Sequence, residues 1–212
     1  GGDTGGSIRQ PAGFNKVYGL KPTYGRISRY GLMAYASSTD CVGPISRSLE
    51  DIRLLLNIMS GRDSHDQTTF DSEPIPENVF TERFLPGSIK TGYYKDFVYS
   101  DALEPKIKKD FLTVINSIRK KGIEVSELDF YDTSLLVSTY YTIAMAETAS
   151  NLARLDGMNY GSRKEGSNLK EGYSITRSEN FTEETKRRIV GGNQVLAHGH
   201  AEEIYLKARI LR

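Results

Sequence analysis

A strand, a helix and a second strand follow one another between residues 89 and 128, and this pattern constrains the fold more than any other. Residues 89–94 have the composition of a strand. Pro105 then stands in the first turn of a helical segment whose apolar residues recur every three or four positions until Gly122. Residues 123–128 alternate apolar and polar side chains. Because a helical crossover joins parallel strands with right-handed sense, the pattern predicts a parallel βαβ unit in a layered α/β fold.

The first part of the chain has a different character. Residues 1–47 are rich in Gly, Ser, Thr and Tyr, which predicts loops and short strands. A helix is predicted to follow Ser48, which can cap it together with Asp51, and to end at Gly61. Residues 62–87 contain few apolar residues and are predicted to form a surface excursion.

The last third of the chain is predicted to be mainly helical. Residues 134–155 are apolar enough for a largely buried helix, and residues 182–212 also have a helical pattern. Between them, residues 157–179 are polar and contain glycine, so no regular element is predicted there. The pair Gly191-Gly192 predicts a kink or break in the final helix.

The strongest indication of a catalytic site is the sequence of the first twelve residues, Gly-Gly-Asp-Thr-Gly-Gly-Ser-Ile-Arg-Gln-Pro-Ala. Gly5 and Gly6 have no Cβ, so the backbone can turn sharply beside Ser7 and direct successive N–H groups at one reacting atom. Such an arrangement suits an oxyanion hole for acyl transfer to a serine hydroxyl. A Gly-Gly-Ser turn alone is also typical of flexible linkers and phosphate-binding loops. Asp3 and Arg9 are predicted to tie the loop down rather than to act as a base.

The longer string resembles the amidase signature family, in which a Gly/Ser-rich stretch ends in Asp-x-Gly-Gly-Ser-Ile-Arg-x-Pro. The resemblance implies a mixed β-sheet layered with helices on both faces, of which this chain would be the central part. It also implies that Ser7 is the acyl-forming nucleophile and that the backbone N–H groups of Thr4, Gly5, Gly6 and Ser7 form the oxyanion hole. No metal is implied.

The two remaining catalytic groups of that family are a lysine and a serine with a cis peptide bond, both upstream of the motif. Lys16, Lys21 and Lys90 do not stand in the matching context, so none is assigned as the base. Residues 1–212 are therefore expected to be an internal fragment of a single amidase domain, truncated at both ends. Such a fragment should not hydrolyse amides alone.

Similarity to one branch of the family, the A subunits of tRNA-dependent amidotransferases, extends over nearly the whole chain. It rests on residues 19–32, 34–38, 43–44, 146–147, 150–154, 156–157 and 186–189. The resemblance implies that glutamine is hydrolysed through an ester on Ser7 and that the ammonia passes to a partner subunit, which amidates charged tRNA. B and C subunits, ATP and Mg²⁺ would belong to the complex, and this chain would hold no cofactor.

The same resemblance implies an arginine that binds the α-carboxylate of glutamine. The planar guanidinium can donate two parallel hydrogen bonds to a carboxylate. Arg187 and Arg188 both stand in the matching Lys-Arg-Arg-Ile segment, and the sequence does not choose between them. Both could instead be solvated charges on a helix surface.

Composition sets limits on other functions. Lys and Arg total 28 against 27 Asp and Glu, so the chain has no general attraction for nucleic acid or anionic membrane. A single cysteine, Cys41, excludes an internal disulfide and is predicted to be a buried structural thiol. His198 and His200 lack a third ligand nearby, so a surface pair is favoured over a metal site. A cytoplasmic or organellar protein is expected.

Two other functions stay open at this point. The chain could belong to a stand-alone amidase that acts on small amides, since the opening dozen residues are common to such enzymes. It could also be a non-catalytic scaffold subunit that keeps the motif without the chemistry. One departure from the family pattern is Lys16, which replaces a more usual glycine and must project outward or strain its turn.

Overall fold

The computed structural model describes residues 1–80 and 89–212, which form two compact units. One unit comprises Gly1–Ile75 and Val137–Arg212, and the other comprises Pro76–Leu136. Both contain helices and short strands, so the predicted α/β class is confirmed. Across the described residues, every helix is too short or too polar to span a bilayer. The predicted surface excursion at 62–87 lies partly outside the described residues.

The unit formed by Pro76–Leu136 contains the predicted strand–helix–strand arrangement. Strand β5 (Thr91–Tyr94) pairs in parallel with β6 (Val125–Leu128), and the connection contains helices α3 (Lys95–Val98) and α4 (Pro105–Lys120). Its core consists of buried apolar side chains: Tyr93, Val98, Ile115 and Val125. The spacing that predicted α4 also gives it the apolar face that packs on the strands.

The other unit holds the glycine-rich loop between short strands and several helices. Two antiparallel pairs are formed by β1 (Gly2–Asp3) with β3 (Cys41–Val42), and by β2 (Tyr18–Gly19) with β4 (Ile45–Ser46). The helices are α1 (Arg9–Phe14), α2 (Leu49–Met59), α5 (Leu136–Asn151), α6 (Leu169–Asn180), α7 (Glu183–Leu196) and α8 (Leu206–Leu211). The first residue of α5 is also the last residue of the Pro76–Leu136 unit. Single helical turns span Leu152–Arg154 and Ala201–Tyr205 in this unit, and Glu77–Phe80 and Thr133–Leu135 in the Pro76–Leu136 unit.

The start of α2 follows the predicted capping. The Ser48 hydroxyl accepts a hydrogen bond of 3.1 Å from the backbone N–H of Asp51. This satisfies one of the amides that a helix leaves unpaired in its first turn, an interaction that typically contributes about 1 kcal/mol. The Asp51 carboxylate accepts from Ser46 at 2.8 Å, so the strand β4 and the helix are joined through this cap.

Helix α6 falls where no regular element was predicted. Its N-terminus is capped by Asn168, whose side chain accepts a 3.0 Å hydrogen bond from the Glu171 amide. The polar composition and Gly172 hid the helix, because little apolar periodicity remains when only Thr176 is buried. The Asn-x-x-Glu spacing is the local signal that could have predicted its start.

The predicted break at Gly191-Gly192 is wrong, because helix α7 continues through both residues. A Cβ on Gly192 would collide with the Met145 carbonyl oxygen of α5, so the glycine serves close packing of the two helices. The helical pattern is instead interrupted after Leu196, where Gly199 adopts a φ of +83°. A glycine can permit a helix crossing as well as a bend, and composition does not distinguish the two.

Lys16 combines both outcomes expected of a residue in a glycine position. It has a φ of +54°, the one positive value at a non-glycine in the described residues, and its side chain is exposed. It follows the end of α1, where the Val17 amide donates to the Ala12 carbonyl and a left-handed residue is usual. The left-handed conformation costs a side-chain-bearing residue about 1–2 kcal/mol.

Candidate active site

The glycine-rich loop is built around the buried carboxylate of Asp3. This carboxylate accepts hydrogen bonds from the backbone N–H groups of Gly6 at 2.7 Å and Ile8 at 3.2 Å. The Arg9 guanidinium adds a two-pronged contact, with 3.0 Å from each of Nε and a terminal nitrogen. The predicted loop-fixing roles of Asp3 and Arg9 are thereby confirmed.

The pKa of Asp3 reflects these partners. Burial opposes its charged form, but the Arg9 guanidinium and the Gly6 and Ile8 amides outweigh that cost and lower the pKa from 3.8 to about 2. The carboxylate is therefore charged at every pH at which an enzyme works. A charged acceptor binds its N–H donors more strongly than a neutral one does.

Ser7 lies at the surface between two buried neighbours. Ile8 is fully buried and packs near Gly43, while Gly6 is buried with a φ of +130° that suits glycine. Burying an isoleucine side chain contributes about 1.5–3 kcal/mol. The alternation of buried and exposed residues thus holds Ser7 outward on a backbone that is anchored on both sides.

The backbone donors of the loop are not equivalent. The Gly6 N–H is directed at Asp3, whereas the amides of Thr4, Gly5 and Ser7 donate no hydrogen bond within residues 1–80 and 89–212. The sequence predicted four backbone N–H donors for an oxyanion hole. Because Asp3 accepts from the Gly6 N–H, the N–H groups of Thr4, Gly5 and Ser7 are the ones left available. The Gly6 N–H differs from the others because the buried Asp3 carboxylate accepts from it at 2.7 Å.

A second buried carboxylate, Asp40, contacts the other end of this loop and was missed in the sequence. It is 3% exposed and accepts a 2.6 Å hydrogen bond from the Thr4 hydroxyl. The backbone amides of Tyr35 and Ala36 also donate to it, at 2.8 and 3.1 Å. An acidic residue directly before the buried strand residue Cys41 is the signal that could have indicated it.

Tyr140 of α5 lies over Gly5, a contact that the sequence did not indicate. A Cβ on Gly5 would stand 2.5 Å from Cζ of Tyr140, so the missing side chain leaves room for the ring. Burial raises the pKa of the Tyr140 hydroxyl, with a further increase from nearby Tyr35 and an opposing effect of Arg188. The hydroxyl is therefore neutral near pH 7 and can donate a hydrogen bond.

The two candidate arginines of α7 have different surroundings. Arg188 is 31% exposed, donates a 2.6 Å hydrogen bond to the Tyr35 hydroxyl and pairs with Glu184 at 2.8 Å. Arg187 is 79% exposed, and its one polar partner within residues 1–80 and 89–212 is Glu184. Arg188 precedes Gly192 by one helical turn, so it lies on the face of α7 that packs against α5.

The base that would activate Ser7 is not placed among the described residues, since none of them hydrogen-bonds the Ser7 hydroxyl. Lys16 extends into solvent. Lys21 donates to the Pro22 carbonyl at 2.8 Å and lies 3.9 Å from the sulfur of Cys41. Cys41 is buried as predicted, although the sequence did not indicate its lysine neighbour.

The histidines do not assemble a metal site. No group of three metal-ligating side chains occurs in residues 1–80 and 89–212. His200 contacts Gln194 at 2.9 Å, and His65 contacts Asp63 at 3.1 Å.

Sequence comparison gives matches over the full chain. A model of the amidase family matches residues 1–212. The chain is 46% identical over 213 residues to the A subunit of the glutamyl-tRNA(Gln) amidotransferase of Sulfurihydrogenibium sp. (strain YO3AOP1), covering 100% of this chain and 44% of the relative. The protein of the same name from Helicobacter hepaticus is also 46% identical, with 100% of this chain and 46% of the relative covered. The chain thus spans less than half the length of these curated relatives.

Solved structures give a concordant comparison. The crystal structure of the A subunit of glutamyl-tRNA(Gln) amidotransferase from Thermotoga maritima matches with a TM-score of 0.70 and 33% identity, covering 98% of this chain and 40% of that one. The native peptide amidase from Stenotrophomonas maltophilia matches with a TM-score of 0.66 and 25% identity, covering 99% of this chain and 42% of that one.

Proposed function

The chain belongs to the amidase family, and from that membership we propose that Ser7 is the nucleophile of an amide-cleaving reaction. One observation carries the proposal: an exposed serine stands on a loop held by buried Asp3, beside three backbone N–H groups that donate no hydrogen bond within the described residues. Donors that are fixed before the reaction stabilise developing negative charge without a cost of reorganisation.

In the proposed reaction, the Ser7 hydroxyl oxygen attacks the amide carbonyl carbon while a base removes its proton. The carbonyl oxygen becomes negatively charged and accepts hydrogen bonds from the available amides of Thr4, Gly5 and Ser7. The C–N bond then breaks, the amine leaves with a proton, and an ester on Ser7 is formed. Water hydrolyses this ester and restores the hydroxyl.

We propose glutamine as the amide and an amidotransferase as the enzyme, because the similarity to A subunits covers the whole chain. The released ammonia would convert Glu-tRNA(Gln) to Gln-tRNA(Gln) on a partner. B and C subunits would complete the complex, and ATP and Mg²⁺ would bind there rather than on this chain. The complex would act in the cytoplasm or in an organelle. The near-neutral charge of the chain is consistent with tRNA contacts made by a partner.

Arg188 is proposed to bind the α-carboxylate of glutamine, since its guanidinium is half-buried beside Tyr35 and near Tyr140. Replacing Arg188 with alanine removes a charge-assisted hydrogen-bond donor, so the KM for glutamine is expected to rise about 10- to 100-fold. Steady-state kinetics of ammonia release in the intact enzyme measure this change.

Arg187 supplies the matched control, because it is the adjacent arginine on α7 and also contacts Glu184. The proposal gives it no contact with substrate, so Arg187→Ala should leave KM unchanged. An unchanged KM in Arg188→Ala, or an increase confined to Arg187→Ala, would contradict this assignment.

A stand-alone amidase is the second candidate, favoured by the structural match to the peptide amidase of Stenotrophomonas maltophilia. The two are separated by measuring ammonia release from glutamine with and without the B and C subunits, ATP and charged tRNA. We expect the rate to rise severalfold on their addition. A rate indifferent to them would support the stand-alone enzyme, and no Ser7-dependent release in any mixture would support a scaffold.

A further inference from the structure

The two ends of the Ser7 loop are held by different carboxylates. Asp3 binds the amides of Gly6 and Ile8, which lie on either side of Ser7 in the chain. Thr4, at the beginning of the loop, receives no bond from Asp3 and is held through its hydroxyl by Asp40. The Asp40 carboxylate therefore fixes the Thr4 side chain, which is attached beside the Thr4 backbone N–H.

Asp40 is itself fixed by its own short loop, residues 35–40. The Tyr35 and Ala36 amides donate to its carboxylate at 2.8 and 3.1 Å, so one side chain spans the loop and reaches Thr4. An acceptor that is buried and fully used has little freedom to move.

Helix α5 anchors this loop. Glu147 accepts hydrogen bonds from the amide and the hydroxyl of Ser38, at 2.8 and 2.5 Å. Asn151, one turn later, donates to the Tyr35 carbonyl at 3.2 Å. The same face of α5 carries Tyr140 over Gly5. Thr4 is thus connected to helix α5 through two sets of hydrogen bonds, from Thr4 to Asp40 and from residues 35–40 to Glu147 and Asn151.

We propose that Asp40 is a positioning residue that aims the Thr4 N–H at the developing oxyanion. The inference rests on the proposed function, because it needs an oxyanion at that place. In this proposal Asp40 touches no reacting atom and acts on the reaction through its bond to Thr4. Loss of the Asp40 carboxylate should weaken the hydrogen bond from the Thr4 N–H to the oxyanion. This bond is stronger in the transition state than in the bound substrate, so its loss lowers kcat.

Replacing Asp40 with asparagine tests the proposal, because the amide keeps the size but cannot accept at both former oxygens. We expect kcat for ammonia release to fall about 10- to 100-fold. This is at or below the decrease of about 100- to 1000-fold in kcat that follows removal of an oxyanion-hole donor. KM for glutamine should change less than kcat, since Arg188 keeps its bond to Glu184, which does not involve Asp40.

The hydroxyl of Thr4 provides a second route to the same test. Thr4→Val keeps the shape and the backbone N–H but removes the bond to Asp40, so kcat should fall as in Asp40→Asn. The double variant should be no worse than either single one, because both remove the same link. Thr4→Ser retains a hydroxyl and should recover most of the kcat lost in Thr4→Val.

Asp63→Asn is the matched control, since Asp63 also fixes a loop by accepting from the Ser28 hydroxyl at 2.5 Å and contacts neither Thr4 nor Asp40. It should leave kcat unchanged. An unchanged kcat in folded Asp40→Asn or Thr4→Val, or additive losses in the double variant, would overturn the inference. If Ser7→Ala still releases ammonia at the normal rate, the proposed function fails instead.

Discussion

Replacing Ser7 with alanine is expected to reduce ammonia release from glutamine by at least about 10³-fold, because no other group can form the ester. The change removes one oxygen from an exposed side chain. The loop should keep its shape, since the bonds from Asp3 run to backbone groups and Arg9. Glutamine binding should therefore persist while kcat collapses. Ammonia release and calorimetric titration of glutamine in the intact enzyme measure the two effects separately.

The control for this variant is Ser117→Ala on α4, an exposed serine whose hydroxyl bonds only the Thr113 carbonyl of its own helix. It should release ammonia at the normal rate. A glutamine analogue that traps acyl-enzymes should label the unchanged protein at Ser7 and leave Ser7→Ala unlabelled. Labelling at another residue, or normal turnover by Ser7→Ala, would refute the assignment of the nucleophile.

Replacing Asp3 with asparagine is expected to destabilise the protein by about 2 kcal/mol at pH 7, because lowering a pKa from 3.8 to about 2 stabilises the folded state by about 1.4 kcal/mol per pH unit. An amide cannot accept every donor that the carboxylate binds, and the Arg9 guanidinium loses its counter-charge. Ammonia release should fall as well, since the backbone beside Ser7 loses its anchor. Thermal and denaturant unfolding give the first effect.

Acid should remove the difference between this variant and the unchanged protein. The folded pKa of Asp3 lies below its unfolded value, so the stabilisation is complete above about pH 4 and is lost as pH falls toward about 2. The stability gap should therefore narrow over that window. A gap that stays constant from about pH 5 to about pH 2 would contradict the role given to the charged carboxylate.

Asp51→Asn is a suitable control for Asp3→Asn. Asp51 is an exposed aspartate that accepts from the Ser46 hydroxyl at the start of α2, without a cationic partner among the described residues. Its replacement should change the melting temperature little and ammonia release not at all. The comparison separates the loss of any carboxylate from the loss of the one that holds the loop.

Local chemistry explains why parts of the fold and the site could be predicted from the sequence. The apolar spacing of α4 and the alternation that follows it specify a βαβ unit without reference to distant residues. Asp3 and Arg9 lie within six positions of one another, so their pairing is also a local property. The cap of Ser48 on α2 belongs to the same class.

The features that could not be predicted depend on contacts between distant segments. Gly192 looked like a helix breaker because Met145, against which it packs, lies in another helix. The choice of Arg188 over Arg187 follows from that same crossing. Asp40 reaches the glycine-rich loop through the pairing of β1 with β3, and Tyr140 reaches it through α5. Polar residues on one face of an otherwise apolar helix are the general signal for such contacts.

The anchor formed by Ser38 and Glu147 joins residues 109 positions apart. A ribosome adds about 5–20 residues per second, so roughly 5–20 s pass between synthesis of Ser38 and synthesis of the Glu147 that holds it. Through that interval residues 35–40 lack the support of Glu147 and Asn151. The proposed reactive centre would therefore be completed late in synthesis, and a pause between the two segments would lengthen the time during which a chaperone can bind the unsupported loop.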